Sequence, residues 1–239
     1  MNFYFDTHSH LQQPLLLPDY YCLNVTTQPA EWSNALALSK LHSNILPAIG
    51  IHPWFVTEIT DDDITRFAST VESSEVACIG EIGLDFSSSY VHTKNTQLRV
   101  FEYMLSQAAK SDLPVSIHCV KAHNEMLDLL NQYDVKGVMH GLGGSLELIK
   151  RYLELGFKVG INGVVCRDNA RRYHQMISHF DLDNFLLETD YPNVLLPDAD
   201  KYNLSDIDVI AEQVALLKNI TKQTVLEKTF YNAQKIFLR

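Results

Sequence analysis

Long apolar runs are missing from the 239 residues. None approaches the ~18 residues that mark a bilayer span. Met1–Phe5 leads straight into an apolar segment with no basic region before it, so no secretory signal is expected. Cysteine is scarce: Cys22, Cys78, Cys119 and Cys166 lie far apart, and no Cys-x-x-Cys pair exists. That argues against a zinc knuckle or a thioredoxin-type site. It leaves buried free thiols in a reducing, cytoplasmic compartment as the expectation. Basic side chains are also few, 19 against 29 acidic, for a net charge of −10. Such a chain cannot grip duplex phosphates over a broad face. Any nucleic acid must be held locally, by a few side chains or by bound metal. No internal repeat, low-complexity tract or interdomain linker is visible, so one domain spanning residues 1–239 is expected.

What is present alternates by period. Short, uniformly apolar segments read as strands buried on both faces: Phe3–Thr7, Tyr20–Thr26, Ile45–Ile51, Val76–Ile82, Val115–Cys119, Gly137–His140, Lys158–Ile161 and Phe185–Leu187. Amphipathic stretches separate most of them, at Glu31–His42, Asp62–Ser73, Thr93–Lys110, His123–Gln132, Leu146–Leu155 and Asn169–His179. Two more, Ser205–Lys218 and Thr224–Phe237, close the chain. Eight strands alternating with helices predict an α/β fold, a TIM (β/α)8 barrel. One connection breaks the rule. Leu11–Asp19 contains Pro14 and Pro18 and is too short for a crossover of about a dozen residues. The first crossover helix is therefore expected to be shortened or missing. That flank would be uncovered, and could seat a protein partner, or be covered by something else.

Chemistry-bearing residues gather at predicted strand ends. In FDTHSHL, His8 and His10 are two apart and face one side of a strand, half of a metal site. His52 follows AIGI, His118 ends VSIH, His140 ends GVMH, Glu81 lies in IGEIGLD, and Asp190 ends FLLETD. At the C-terminal rim of a barrel these residues would meet, and buried imidazoles and acids need partners. A divalent metal cluster is their best mutual partner, with zinc, magnesium or manganese as candidates. One carboxylate can bridge two cations, and Glu81 is placed to do so, with Gly80 and Gly83 leaving room around it. His123, just beyond the fifth strand, could touch substrate. Ser145 in GLGGS reads as a helix N-cap, and Arg167, Arg171 and Arg172 as a solvated helix face.

These motifs, in this order, resemble those of the TatD family of metal-dependent deoxyribonucleases among the amidohydrolase-like barrels. FDTHSHL resembles Asp-Thr-His-x-His-Leu, AIGIHP resembles Gly-x-His-Pro, and IGEIGLD resembles Gly-Glu-x-Gly-Leu-Asp. LPVSIHC, GVMHGLGGS and LLETDYP are similar to the later strand ends, and YNAQKIF to the closing helix. The resemblance implies one metal on His8, His10, Glu81 and Asp190, a second on Glu81, His118 and His140, and His52 against a substrate phosphate. It implies cleavage of phosphoester bonds, a 3′–5′ exonuclease acting on single-stranded or frayed DNA ends. Asp190 and Glu81 would serve a metal-activated hydroxide, with Asp85 fixing a ligand histidine. The chain departs from the family at Gln12, where an acid is usual, and at Cys119-Val120, where an arginine is usual. At Tyr202-Asn203-Leu204 it lacks the Arg-Asn-x-Pro element. A small-molecule metallohydrolase (esterase, lactonase or amidase) and a non-catalytic metal-binding subunit of a larger assembly are the alternatives.

Overall fold

The computed structural model describes residues 4–14, 17, 19–73 and 75–238. Eight parallel strands close on themselves in sequence order, the eighth pairing with the first through Asp6 and Leu187. They are β1 (Tyr4–Ser9), β2 (Tyr20–Val25), β3 (Ile45–Ile49), β4 (Cys78–Asp85), β5 (Val115–Val120), β6 (Gly137–Met139), β7 (Lys158–Ile161) and β8 (Phe185–Leu187). Helices α1 (Trp32–Leu41), α2 (Asp61–Ser73), α3 (Lys94–Ser111), α4 (His123–Leu130), α5 (Leu146–Glu154) and α6 (Arg171–His179) fill successive connections from β2 onward. Helices α7 (Asp206–Lys218) and α8 (Lys222–Phe237) follow β8. This is the TIM barrel that the strand pattern predicts. Phe3 and Pro18, which that reading also used, lie outside the described residues.

The largest shift from expectation is in β4, which begins at Cys78 and runs on to Asp85. Two glycines inside a strand usually weaken it. Here they permit close approach instead. A Cβ on Gly80 would lie 2.7 Å from the Ser116 Cβ, and one on Gly83 would lie 1.9 Å from the His118 carbonyl oxygen. The room that these glycines leave is for the backbone of β5, not for the Glu81 side chain.

Between β1 and β2 no helix occurs among the described residues. Other parts of the chain cover this flank instead, the second of the two outcomes that the short connection allows. Tyr20 donates to the Asp6 carboxylate at 2.9 Å and to the Leu204 carbonyl at 3.0 Å, just ahead of α7. Tyr4 donates to Asp208 of α7 at 2.9 Å. Leu11 folds back onto β2, where Asn24 accepts from its N–H at 2.7 Å and donates to its carbonyl at 3.3 Å. Leu11, Tyr20 and Cys22 are all buried. Short polar ties thus do on this flank the work of a helix.

The barrel has two unlike ends. Phe5, Leu23, Ala48, Cys78, Val138 and Leu186, from strands around the whole circumference, form an apolar cluster with Ala233 and Phe237 of α8. Residues from opposite sides of a closed barrel can meet only inside it, so this cluster is the interior, with α8 across its N-terminal end. Phe5 lies 5.9 Å from Phe230 and 6.0 Å from Phe237, ring centre to ring centre. The larger apolar cluster lies between the strands and the helices, with Trp32 donating to the Gly50 carbonyl at 3.0 Å.

Candidate metal centre

At the C-terminal ends of the strands the interior turns polar. β1 carries His8 inward, with His10 just beyond it; Glu81 comes from β4 and His118 from β5. His52, His140 and Asp190 stand one to three residues past the ends of β3, β6 and β8. Asp190 enters the rim from a left-handed backbone with φ of 54°, its amide bonded to the His8 carbonyl at 2.8 Å. All of these but the fully buried His8 line a cleft of about 540 Å³ together with Gln12, Thr27, Glu31, Trp54, Phe55, Pro192 and Asn193.

Glu81 sits at the centre. Its Oε2 lies 3.4 Å from His8 Nε2 and 3.9 Å from His10 Nε2. Its Oε1 lies 3.3 Å from His118 Nδ1, 3.5 Å from His52 Nε2 and 3.9 Å from His140 Nε2. Asp190 spans the two groups, with Oδ1 3.7 Å from His10 Nε2 and Oδ2 3.6 Å from His140 Nε2. All exceed the ordinary hydrogen-bond range of about 2.7–3.2 Å. Donors converge without satisfying one another, and the buried Nε2 of His8 has no hydrogen-bond partner.

The far side of each ring decides what its near side offers. His8 Nδ1 is bonded to Ser116 Oγ at 3.2 Å, and His10 Nδ1 to the Val25 carbonyl at 2.8 Å. His140 Nδ1 faces Glu188 Oε1 at 2.9 Å. A proton held at Nδ1 leaves the Nε2 lone pair free, the arrangement that supporting partners give to metal-binding histidines. His118 is reversed, with Nε2 3.5 Å from Asp85 Oδ2 and Nδ1 toward Glu81. His52 differs in kind. Its Nδ1 accepts from the Trp54 N–H at 3.3 Å, which puts the proton on Nε2. Although His52, Glu81 and His118 cluster within ligand distance of one another, His52 presents an N–H to the cleft and not a lone pair.

Electrostatics match this division. Burial drives the His52 pKa down to about 3, so its ring is neutral at pH 7. Burial also opposes charge on His140, but the carboxylates of Glu188, Asp190 and Glu81 outweigh it and push the pKa up to about 10. Asp190 resists burial through His140 and His10 and is held at about 2. Burial would raise Glu81 as well, yet His52, His8 and His118 keep it well below the usual carboxylate range. Without metal the site is thus a set of anions with at least one proton trapped on imidazole. A cation can replace that proton. The donor set of imidazoles and carboxylates, with a buried unpartnered nitrogen, fits a divalent cation site.

The structure brings together His8, His10, His52, Glu81, His118, His140 and Asp190. It does not bring His123 to the cleft. Because Cys119 points away from His118, it faces the helix layer, where its Sγ lies 3.3 Å from His123 Nδ1. The same nitrogen lies 3.0 Å from the Tyr152 hydroxyl on α5. Ser145 caps α5 by accepting from the Leu148 N–H at 3.2 Å, and Arg167, Arg171 and Arg172 are exposed.

Glu188 escaped the sequence reading. It is completely buried, accepts from the Gly141 N–H at 2.7 Å and orients His140. A Cβ on Gly160 would lie 1.9 Å from its Oε2. The signal was present: Glu188 and Asp190 repeat on the eighth strand end the two-residue spacing of His8 and His10 on the first.

A family model described as TatD related DNase matches residues 5–238. An uncharacterized metal-dependent hydrolase of Escherichia coli K12, YjjV, is 30% identical over 174 residues, 71% of this chain and 67% of that protein. A 3′-5′ ssDNA/RNA exonuclease TatD of Erwinia amylovora is 28% identical over 222 residues, 88% of this chain and 85% of that protein. The crystal structure of YjjV matches the fold with a TM-score of 0.89 at 23% identity, covering 98% of this chain and 97% of that one.

Proposed function

The chain belongs to the family of TatD-related DNases, which are metal-dependent hydrolases, and we propose that it is a dinuclear phosphoesterase removing nucleotides from the 3′ ends of single-stranded or frayed DNA. One observation carries the dinuclear reading: the two oxygens of Glu81 face two different groups of imidazoles. His8, His10 and Asp190 would complete one cation site, His118 and His140 the other, with zinc, magnesium or manganese as occupants. Divalent cations bound there supply Lewis-acid stabilisation of phosphoryl charge and acidify water.

The protein's own groups do the rest. His52 donates from Nε2 to a phosphoryl oxygen, a role that its tautomer suits and that ligation does not. Asp190 Oδ1 is held by Asn193 Nδ2 at 3.0 Å, which leaves Oδ2 to orient the attacking water and take its proton. Asp85 fixes His118, and Glu188 fixes His140. The closed barrel is one unit around this site, and four free cysteines suit a cytoplasmic setting. Among the described residues no helix is long and apolar enough to cross a membrane.

The test is elemental analysis after metal loading, followed by digestion of single-stranded DNA labelled at either end. Two ions per chain, immediate release of a 3′ label and stepwise shortening of the 5′-labelled strand are expected. Zero or one ion, or no cleavage of any phosphodiester, overturns the proposal.

A further inference from the structure

Among the described residues that line the cleft there is no lysine or arginine, whereas three carboxylates, Glu31, Glu81 and Asp190, border it. The cationic side-chain grip on phosphate common in nucleic-acid sites is therefore absent from the cleft, which leaves the cations and the neutral His52 N–H to hold the reacting phosphate. A single-stranded substrate held only at its reacting phosphate would dissociate readily, so another contact must carry part of the binding. The cleft offers one.

Trp54 stands directly after the His52-Pro53 pair on a short helical turn, Pro53–Phe55. It is 45% exposed, although tryptophan is among the side chains most strongly withdrawn from water. Its placement is fixed on three sides. Its ring stacks on Tyr90 with centroids 5.1 Å apart and planes 13° from parallel. Its Nε1–H donates to Asp85 Oδ2 at 2.7 Å, and the His52 ring stands at its edge 4.7 Å away. A large apolar ring kept half in water by built-in supports, beside a phosphate-directed N–H, is a preorganised contact and not a packing residue.

We propose that Trp54, backed by Tyr90, is the base-stacking platform for a single-stranded nucleic acid, receiving the nucleobase next to the phosphodiester that His52 engages. The inference rests on the phosphodiesterase reading above. Stacking on an aromatic ring is tolerant of base identity and independent of charge, which suits an acidic protein that must process successive nucleotides. Asp85 then has two tasks, its Oδ2 facing both the indole N–H and His118 Nε2.

Intrinsic fluorescence and anisotropy titrations on the metal-loaded protein test this, with a phosphorothioate-linked pentathymidylate and the same backbone with its two 3′-terminal bases removed. Wild type should bind the base-bearing strand about five- to a hundredfold more tightly than the abasic one. Tryptophan emission should be quenched only by the former, because Trp32, the other tryptophan, is buried. Trp54→Leu should abolish the quench and collapse the preference toward one. Trp54→Phe, which keeps a stacking surface but loses the donor to Asp85, should retain most of the preference. If Trp54→Phe loses it as completely as Trp54→Leu, the residue acts through Asp85 and the platform is wrong. Equal affinity of wild type for both strands also overturns the platform while leaving the phosphodiesterase reading intact. Binding of neither strand overturns both.

Discussion

The two ends of the barrel interior obey opposite rules. At the floor, Phe5, Leu23, Val138 and Leu186 meet Phe237 in an apolar cluster without an unpaired polar atom. At the mouth, less than a barrel's length away, five imidazoles and two carboxylates converge at separations of 3.3–3.9 Å and leave a buried nitrogen unpartnered. The floor is satisfied by its own atoms, and the mouth is complete only with a ligand. The lesson is that stability and chemistry have been separated along one axis, so each can be perturbed without the other.

The sharpest way to break that comparison is Glu81→Ala. Removing the carboxylate that the proposed function makes common to both cation sites should lower hydrolysis by at least about 10³-fold and reduce metal content below one ion per chain. The melting temperature of the metal-free protein should stay within a few degrees of wild type. If Glu81→Ala binds two ions as tightly as wild type, Glu81 is not the bridge. Phe237→Ala should do the reverse: loss of about 3–5 kcal/mol of stability in denaturant titration, as large-to-small core changes typically cost. The folded fraction should still take up two ions.

Smaller effects should sharpen the picture within the mouth. Glu188→Gln leaves His140 in place but weakens its support. It should reduce metal affinity by about 10–100-fold, as loss of partners behind metal ligands typically does, measured by competition with a chromogenic chelator. A matched Gln change at Glu31, which borders the cleft without touching the cluster, should have little effect on affinity.

A further prediction concerns pH. In the metal-free protein His140 is raised from 6.5 to about 10 by the surrounding carboxylates. The folded state therefore holds a proton that the unfolded chain releases above about pH 6.5. Its stabilisation is present in full below pH 6.5 and is lost as pH rises toward 10. Melting temperature should fall across that window in metal-free wild type and in Phe237→Ala alike, and fall less in His140→Gln. Calorimetry in buffers of different ionisation enthalpy should show metal loading at pH 7 releasing protons.

Much of this was legible in the sequence because two periodicities carry it. Short apolar runs could be buried only as a parallel barrel, and histidines at their ends had one place to meet. What was not legible depended on contacts across the ring. The cover of the β1–β2 flank rests on Tyr20 reaching the remote Leu204 carbonyl and on Leu11 folding back to Asn24, contacts that carry no common pattern. The tautomer of His52 is set by the Trp54 backbone, two residues away but placed by a helical turn that no periodicity announces. His123 looked available because it followed a ligand-bearing strand. Strand alternation sends Cys119 to the outer face, and His123, at the start of α4, meets it there.

Gly160 and Glu188 leave a mark on how this gene can vary. The position facing Glu188 Oε2 has no room for even one carbon, because a Cβ there would come within 1.9 Å of that oxygen. Every codon one nucleotide away from a glycine codon encodes stop, glycine again or a residue with a Cβ. A side chain at 160 must push that carboxylate aside, and with it the support that Glu188 gives to His140. In a randomised library selected for metal uptake, position 160 should return glycine alone, except in clones that have also rebuilt position 188.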